Sequence, residues 1–148
     1  MRKPRVIIYD DDVTVLDMLK TFLIRRGYEV LAFNEPISCP IYEKLASCCE
    51  VAYACADITI TDFNMPRMNG IQLLQLQSQR KCKIDIRNKA IISGHFSDET
   101  LREIENMGCS FINKPFRLSE IAHWLDTCAN RMDLSRPVGD LQIIQGNT

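Results

Sequence analysis

Five short apolar runs alternate with segments whose apolar residues return every three or four positions. The runs are VIIY at 6–9, YEVLAF at 28–33, ADITITD at 56–62, KAIIS at 89–93 and SFIN at 110–113. All are too short for a buried helix, and the first is a continuous β-branched stretch of the kind covered on both faces of a sheet. Strands that alternate with helices cannot pair as hairpins. The pattern therefore predicts an α/β fold, a parallel sheet with helices on both faces joined by right-handed crossovers.

The intervening segments predict five helices. The first runs over 13–26, where Leu16, Leu19, Phe22 and Leu23 share a face and Gly27 offers a stop. The second is expected from Pro40 or Ile41 to about Glu50, with Pro40 tolerated in the first turn. NMPRMNG at 64–70 is a loop by its Pro, Asn and Gly content, and Ile71, Leu73, Leu74 and Leu76 sit on the helix after it. Ser97 or Asp98 can cap a fourth helix that ends at Met107, before Gly108. The fifth runs from Leu118 to about Met132, with Ile121, Trp124, Leu125 and Cys128 on one face. One domain over 1–132 accounts for all of this. Residues 133–148 read as a tail, a linker stub, or a strip docked through Leu141, Ile143 and Ile144.

Composition excludes several classes. The formal net charge is -1 over 148 residues, and no basic block marks a nucleic-acid footprint. No stretch approaches the roughly 20 apolar residues that span a bilayer. No export signal is legible either, so a cytoplasmic protein with reduced thiols is expected. Seven cysteines are present, four of them clustered at Cys39, Cys48, Cys49 and Cys55. The cluster has no CxxC pair and no nearby histidine, and packing of a helix against the sheet is the plainer role than a metal site.

The strand ends carry the chemistry. In open parallel sheets, ligands bind outside the carboxyl ends of the strands, where strand order reverses. The first strand runs into Asp10, Asp11 and Asp12, and the third ends in Asp62. The fourth ends in Ser93 and Gly94, the fifth meets Lys114 before Pro115, and the second delivers only Asn34. Taken singly, each has a plain structural reading: a cap, a solvated charge, a turn. Together they crowd carboxylates on one rim. Two unit charges about 4 Å apart repel by roughly 4 kcal/mol at an effective dielectric of about 20. Either an acid takes up a proton or a cation sits among them, and oxygen ligands of this kind suit Mg²⁺. Asp10 and Asp11 are candidate metal ligands, with Asp12 the cap of the first helix.

VIIYDDD, DITITDFNMPRMNG, AIISGH and FINKPF resemble the signature stretches of the response-regulator receiver domain of two-component signalling, the chemotaxis-receiver type. The resemblance covers residues 5–132. It implies a flavodoxin-like, doubly wound five-stranded parallel sheet of order 2-1-3-4-5. It implies that Asp62 is the phosphoacceptor and that Asp10, Asp11, Asp62 and the main-chain carbonyl of Asn64 hold Mg²⁺. Ser93 would meet the phosphoryl group and Lys114 would pair with one of its oxygens. The Lys114–Pro115 bond would be cis, rare enough to be diagnostic. Phe111 stands at the switch aromatic, and Asn64 and His95 at positions that tune hydrolysis of the phosphoryl group.

Two features depart from that pattern. Phe111 lacks the hydroxyl of the tyrosine often found there, and the stretch 34–62, with its clustered cysteines, is several residues longer than usual. The expected function is a phosphorelay receiver, not a turnover enzyme. It would take a phosphoryl group from a histidine kinase or a histidine phosphotransfer protein and pass the signal to a downstream protein or a fused output domain. Two alternatives remain open at this stage. One is a receiver-like scaffold that works without phosphorylation. The other is a Mg²⁺-dependent phosphatase of the haloacid-dehalogenase type, which needs a second Asp where this chain has Asn64.

Overall fold

The computed structural model describes residues 1–35 and 53–139. Its strands are β1 (Arg5–Tyr9), β2 (Glu29–Phe33), β3 (Ile58–Asp62), β4 (Lys89–Ser93) and β5 (Ser110–Asn113). All neighbours pair in parallel in the order β2-β1-β3-β4-β5. The helices are α1 (Val13–Arg25), α2 (Gly70–Gln79), α3 (Asp98–Met107) and α4 (Leu118–Ala129). A 3-10 turn at Ile86–Asn88 leads into β4. Four α-helices, not five, are therefore found among the described residues. The helix expected up to Glu50 lies outside them, as do Cys39, Cys48, Cys49, Leu141, Ile143 and Ile144.

Alternate strand residues face opposite layers. Val6, Ile8, Ile58, Ile60, Ala90 and Ile92 pack against Leu16, Leu19 and Leu23 of α1 and Ile121, Leu125 and Cys128 of α4. On the other face Ile7 and Tyr9 meet Leu73, while Ile91 meets Ile71 and Leu74 of α2 and Ile104 of α3. Each fully buried Leu or Ile side chain contributes about 2 kcal/mol relative to exposure, so this double cover holds the sheet. Local signals set the helix ends. The Asp12 carboxylate accepts from Thr14 N and Val15 N, and Ser97 Oγ accepts from Thr100 N. Gly108, at φ 86°, closes α3 in the left-handed region that favours glycine.

Two expected boundaries shift. The third strand begins at Ile58; Asp57 just before it still donates its N–H to Arg5 O at 2.9 Å, while its carboxylate accepts from Arg2 Nη1 and Nη2, both at 2.7 Å, and from Arg5 N at 2.8 Å. The last helix ends at Ala129, before Met132. Residues 133–139 then pass beneath the amino ends of the strands. Gly139 N donates to Ala54 O at 2.9 Å, and buried Arg5 donates through Nη1 to Gly139 O at 2.7 Å and Cys55 O at 3.0 Å. The Arg5 guanidinium also pairs with Glu29. A cleft of about 830 Å³ opens at this amino-terminal rim, bordered by Arg2, Lys83, Arg131 and Arg136 among others.

Candidate functional site

Strand order reverses between β1 and β3, and the carboxyl ends of these two strands carry the acids. Tyr9 and Thr61 are register partners, so Asp10 and Asp62 emerge side by side. Asp10 N donates to Phe33 O at 3.1 Å, and Asp10 Oδ1 accepts from Asp12 N at 2.9 Å. This fixes a carboxylate that is only 2% exposed. Asp11 is exposed beside it. One carboxylate oxygen each from Asp10, Asp11 and Asp62 lies within 4.8 Å of the others.

The main chain carrying Asp62 is clamped from both sides. Phe63 N donates to Ile92 O and Gly70 N donates to Phe63 O, both at 2.8 Å. A Cβ on Gly70 would stand 2.7 Å from the Asp62 carbonyl oxygen, so only glycine fits at that close approach. Lys114 arrives from β5, its N–H donating to Ser93 O at 2.8 Å. Its Nζ donates to Asp62 Oδ1 at 2.9 Å and stands 3.6 Å from Asp10 Oδ2. The Lys114–Pro115 peptide is cis, as the sequence resemblance implies.

One ammonium serves two of the three carboxylates, Asp62 and Asp10. Burial pushes Asp10 above the usual carboxylate range, helped by the charge of Asp62 and opposed by the hydrogen bond from Asp12. Burial likewise raises Asp62, against the pull of Lys114. Burial would lower Lys114, but Asp62 and Asp10 outweigh it and leave the ammonium raised. Asp10 Oδ2 is buried and makes no hydrogen bond. An unsatisfied carboxylate oxygen costs free energy. Its position among other hard oxygen donors fits a divalent cation such as Mg²⁺, so the residues present suit the expected metal.

The remaining candidates frame this cluster. Ser93 is buried, and its hydroxyl engages its own loop, donating to His95 O at 2.9 Å and accepting from His95 N at 3.2 Å. A Cβ on Gly94 would meet nothing within 4 Å, so protein packing does not demand glycine there. Asn64 and His95 are exposed on the two loops that flank the acids. Phe111 is 46% exposed and rests edge-on against Phe96, with ring centroids 5.3 Å apart. Sequence reasoning missed Gly70 and Phe96. Asn69 and Gln72 form a reciprocal capping box that starts α2 at Gly70, and the N-x-x-Q spacing was a readable signal for it.

Residues 6–126 match the response regulator receiver domain family, and the chain belongs to that family. It is 30% identical over 122 residues to ARR21 of Arabidopsis thaliana, an alignment spanning 80% of this chain and 18% of that protein. It is 26% identical over 134 residues to the two-component response regulator ARR12 of the same plant, spanning 89% and 21%. The chain thus spans about a fifth of the length of these relatives. Solved structures share the fold. The chemotaxis response regulator CheY4 of Vibrio cholerae superposes with a TM-score of 0.63 at 23% identity, over 85% of this chain and 98% of that one. The receiver domain of the Francisella response regulator 1452 gives 0.69 at 21% identity, over 88% and 99%.

Proposed function

We propose that this receiver accepts a phosphoryl group on Asp62 from a phosphohistidine donor, in a cation-dependent step, and answers by altering a protein-binding surface. The observation that carries the reading is the convergence of Asp10, Asp11 and Asp62 at one rim with Lys114 Nζ 2.9 Å from Asp62. Asp10, Asp11, Asp62 and the Asn64 carbonyl would hold Mg²⁺. The ion's contribution is to offset negative charge on the phosphoryl oxygens.

The chain's own groups do the rest. Lys114 orients the Asp62 carboxylate through Oδ1. A carboxylate oxygen of Asp62 attacks phosphorus, the bond from phosphorus to the donor imidazole nitrogen breaks, and that nitrogen keeps the electron pair. The product is a mixed anhydride with about two negative charges. Lys114 can pair with one phosphoryl oxygen. Gly94 leaves open space beside another, and Ser93 can turn its hydroxyl from the His95 main chain to that charge. Release of His95 frees the loop that carries Phe96, on which Phe111 rests. This is a contiguous route from Asp62 to an aromatic surface on β5 and the loop before α3.

Asn64 and His95 flank the path of an attacking water and would set the lifetime of the anhydride. We place the receiver unit at 1–132, with 133–148 as a tail or linker whose first residues, up to Gly139, strap back onto it, and its setting as cytoplasmic. Among the described residues no helix is long and apolar enough to cross a membrane. Partners are a histidine kinase or phosphotransfer protein upstream and a protein target or fused output domain downstream. The unit promotes its own modification rather than turning over a separate substrate.

The test is intact-mass spectrometry after incubation with acetyl phosphate and Mg²⁺. One base-labile phosphoryl group is expected, absent in Asp62→Asn and absent in chelator. A protein that stays unmodified under all conditions would instead be a phosphorylation-independent scaffold. Turnover of the donor without lasting modification of the chain would point to a phosphatase.

A further inference from the structure

The acidic rim leaves one polar cluster of the core unexplained. Lys89 opens β4 and is 2% exposed, yet its side chain ends in an amine. Its Nζ donates to Gln77 Oε1 at 2.7 Å and to Cys82 Sγ at 3.4 Å, and Gln77 is itself buried. Among the described residues no carboxylate pairs with it. Cys82 N in turn donates to Gln77 O at 2.8 Å, so the three residues close a triangle between α2 and the start of β4. The register partner of Lys89 is Thr59, whose side chain shares that face of the sheet. Thr59 Oγ1 is buried and makes no hydrogen bond. A small polar, oxygen-bearing reactant would therefore find a buried hydroxyl and an amine on the same face as the thiol.

The thiols differ in access. Cys55 and Cys82 are partly exposed, whereas Cys109 and Cys128 are buried, and of the two reachable thiols Cys82 is the one in contact with a lysine amine. Burial pushes the Cys109 thiol up and the Cys128 thiol up to about 11, and both are poor nucleophiles. Reactive cysteines are those that remain reachable and lie beside a basic group.

We propose that Cys82 and Lys89 form a peroxide-driven covalent link between the loop after α2 and β4. The Cys82 sulfur attacks one oxygen of hydrogen peroxide, the O–O bond breaks and water leaves, giving a sulfenic acid. The Lys89 nitrogen, its proton released to solvent, attacks that sulfur. The S–O bond breaks, a second water leaves and an S–N bond forms. Sulfur is oxidised by two electrons and one peroxide is reduced to two waters. The link staples the very strand that ends at Ser93.

The test uses the whole protein treated with hydrogen peroxide, then digested without reductant and analysed by mass spectrometry. The Cys82 and Lys89 peptides are expected joined and lighter by two hydrogen atoms, with Cys109 and Cys128 still thiols and the link reversed by dithiothreitol. Cys82→Ser, a change at a partly exposed position, is expected to abolish the joined species. Lys89→Gln is expected to abolish it and to let Cys82 proceed to the sulfinic acid. Peroxide-treated wild-type protein in which Cys82 is unmodified, or carries oxygen without a bond to Lys89, overturns the proposal whether or not either variant folds.

Discussion

The two rims of the sheet handle charge in opposite ways. At the amino-terminal rim, with Lys89 the exception, acids and bases pair off. Asp57 takes a two-pronged contact from Arg2 plus Arg5 N, Arg5 binds Glu29 and two carbonyls, and Arg131 donates to Asn88 Oδ1 at 2.7 Å. Arg87 holds the Asp85 carboxyl below its usual range. At the carboxyl-terminal rim, burial and like charge push Asp10 and Asp62 the other way, and one carboxylate oxygen has no hydrogen bond. A rim that satisfies its own charges is built for stability. A rim that leaves them crowded keeps free energy in reserve for a ligand of opposite sign.

Substitutions that remove a charge should separate the rims by sign. The largest effect is expected from Arg5→Ala, which strips partners from two carbonyls under the sheet. A loss of about 3 kcal/mol in urea denaturation is expected. A loss under about 1 kcal/mol would mean that the strap at 133–139 adds little. Next comes Gly70→Ala, whose Cβ must displace the Asp62 main chain. Roughly 2 kcal/mol of destabilisation is expected, with slower labelling by acetyl phosphate. Unchanged labelling would deny that this close approach positions the acid.

Asp10→Asn should act with the opposite sign. Because the folded-state carboxyl is raised, ionising Asp10 costs stability. That cost is absent below the folded pKa's lower neighbour, the unfolded value, and grows as pH rises through the folded one. In chelator at neutral pH the variant is expected to gain about 1 kcal/mol, a gain that fades as the solution is acidified. A loss at neutral pH would contradict the picture of a crowded rim. The smallest effect belongs to the exposed pair Arg26–Asp126, 3.5 Å apart. Asp126→Ala should change stability by less than about 0.5 kcal/mol.

Much of this was legible in the sequence because the fold is written in local patterns. Continuous β-branched runs such as 6–9 mark strands covered on both faces, and strand ends in a parallel sheet share one rim. Asp10, Asp11, Asp62, Ser93 and Lys114 could therefore be gathered before any coordinate was known. The helix count was not recovered among the described residues. Pairings between distant residues were invisible for a different reason. Nothing local says that Arg5 will hold Gly139, that the Asp57 carboxylate meets Arg2, or that Gly70 lies against the Asp62 carbonyl. Lys89 read as an ordinary strand opener, and only packing reveals that its Nζ is buried against Gln77 and Cys82. Phe111 likewise read as a switch position, while its partner Phe96 carried no signal.

The claim beneath all of this is that the carboxyl-terminal rim carries negative charge that the protein itself does not neutralise. Calorimetric titration of Mg²⁺ into the unphosphorylated chain tests it most directly. One site is expected in the wild type, with binding lost or weakened at least tenfold in Asp11→Asn although that residue is exposed and its change leaves the fold intact. Absence of Mg²⁺ binding in the wild type, or equal binding in the variant, would contradict the account.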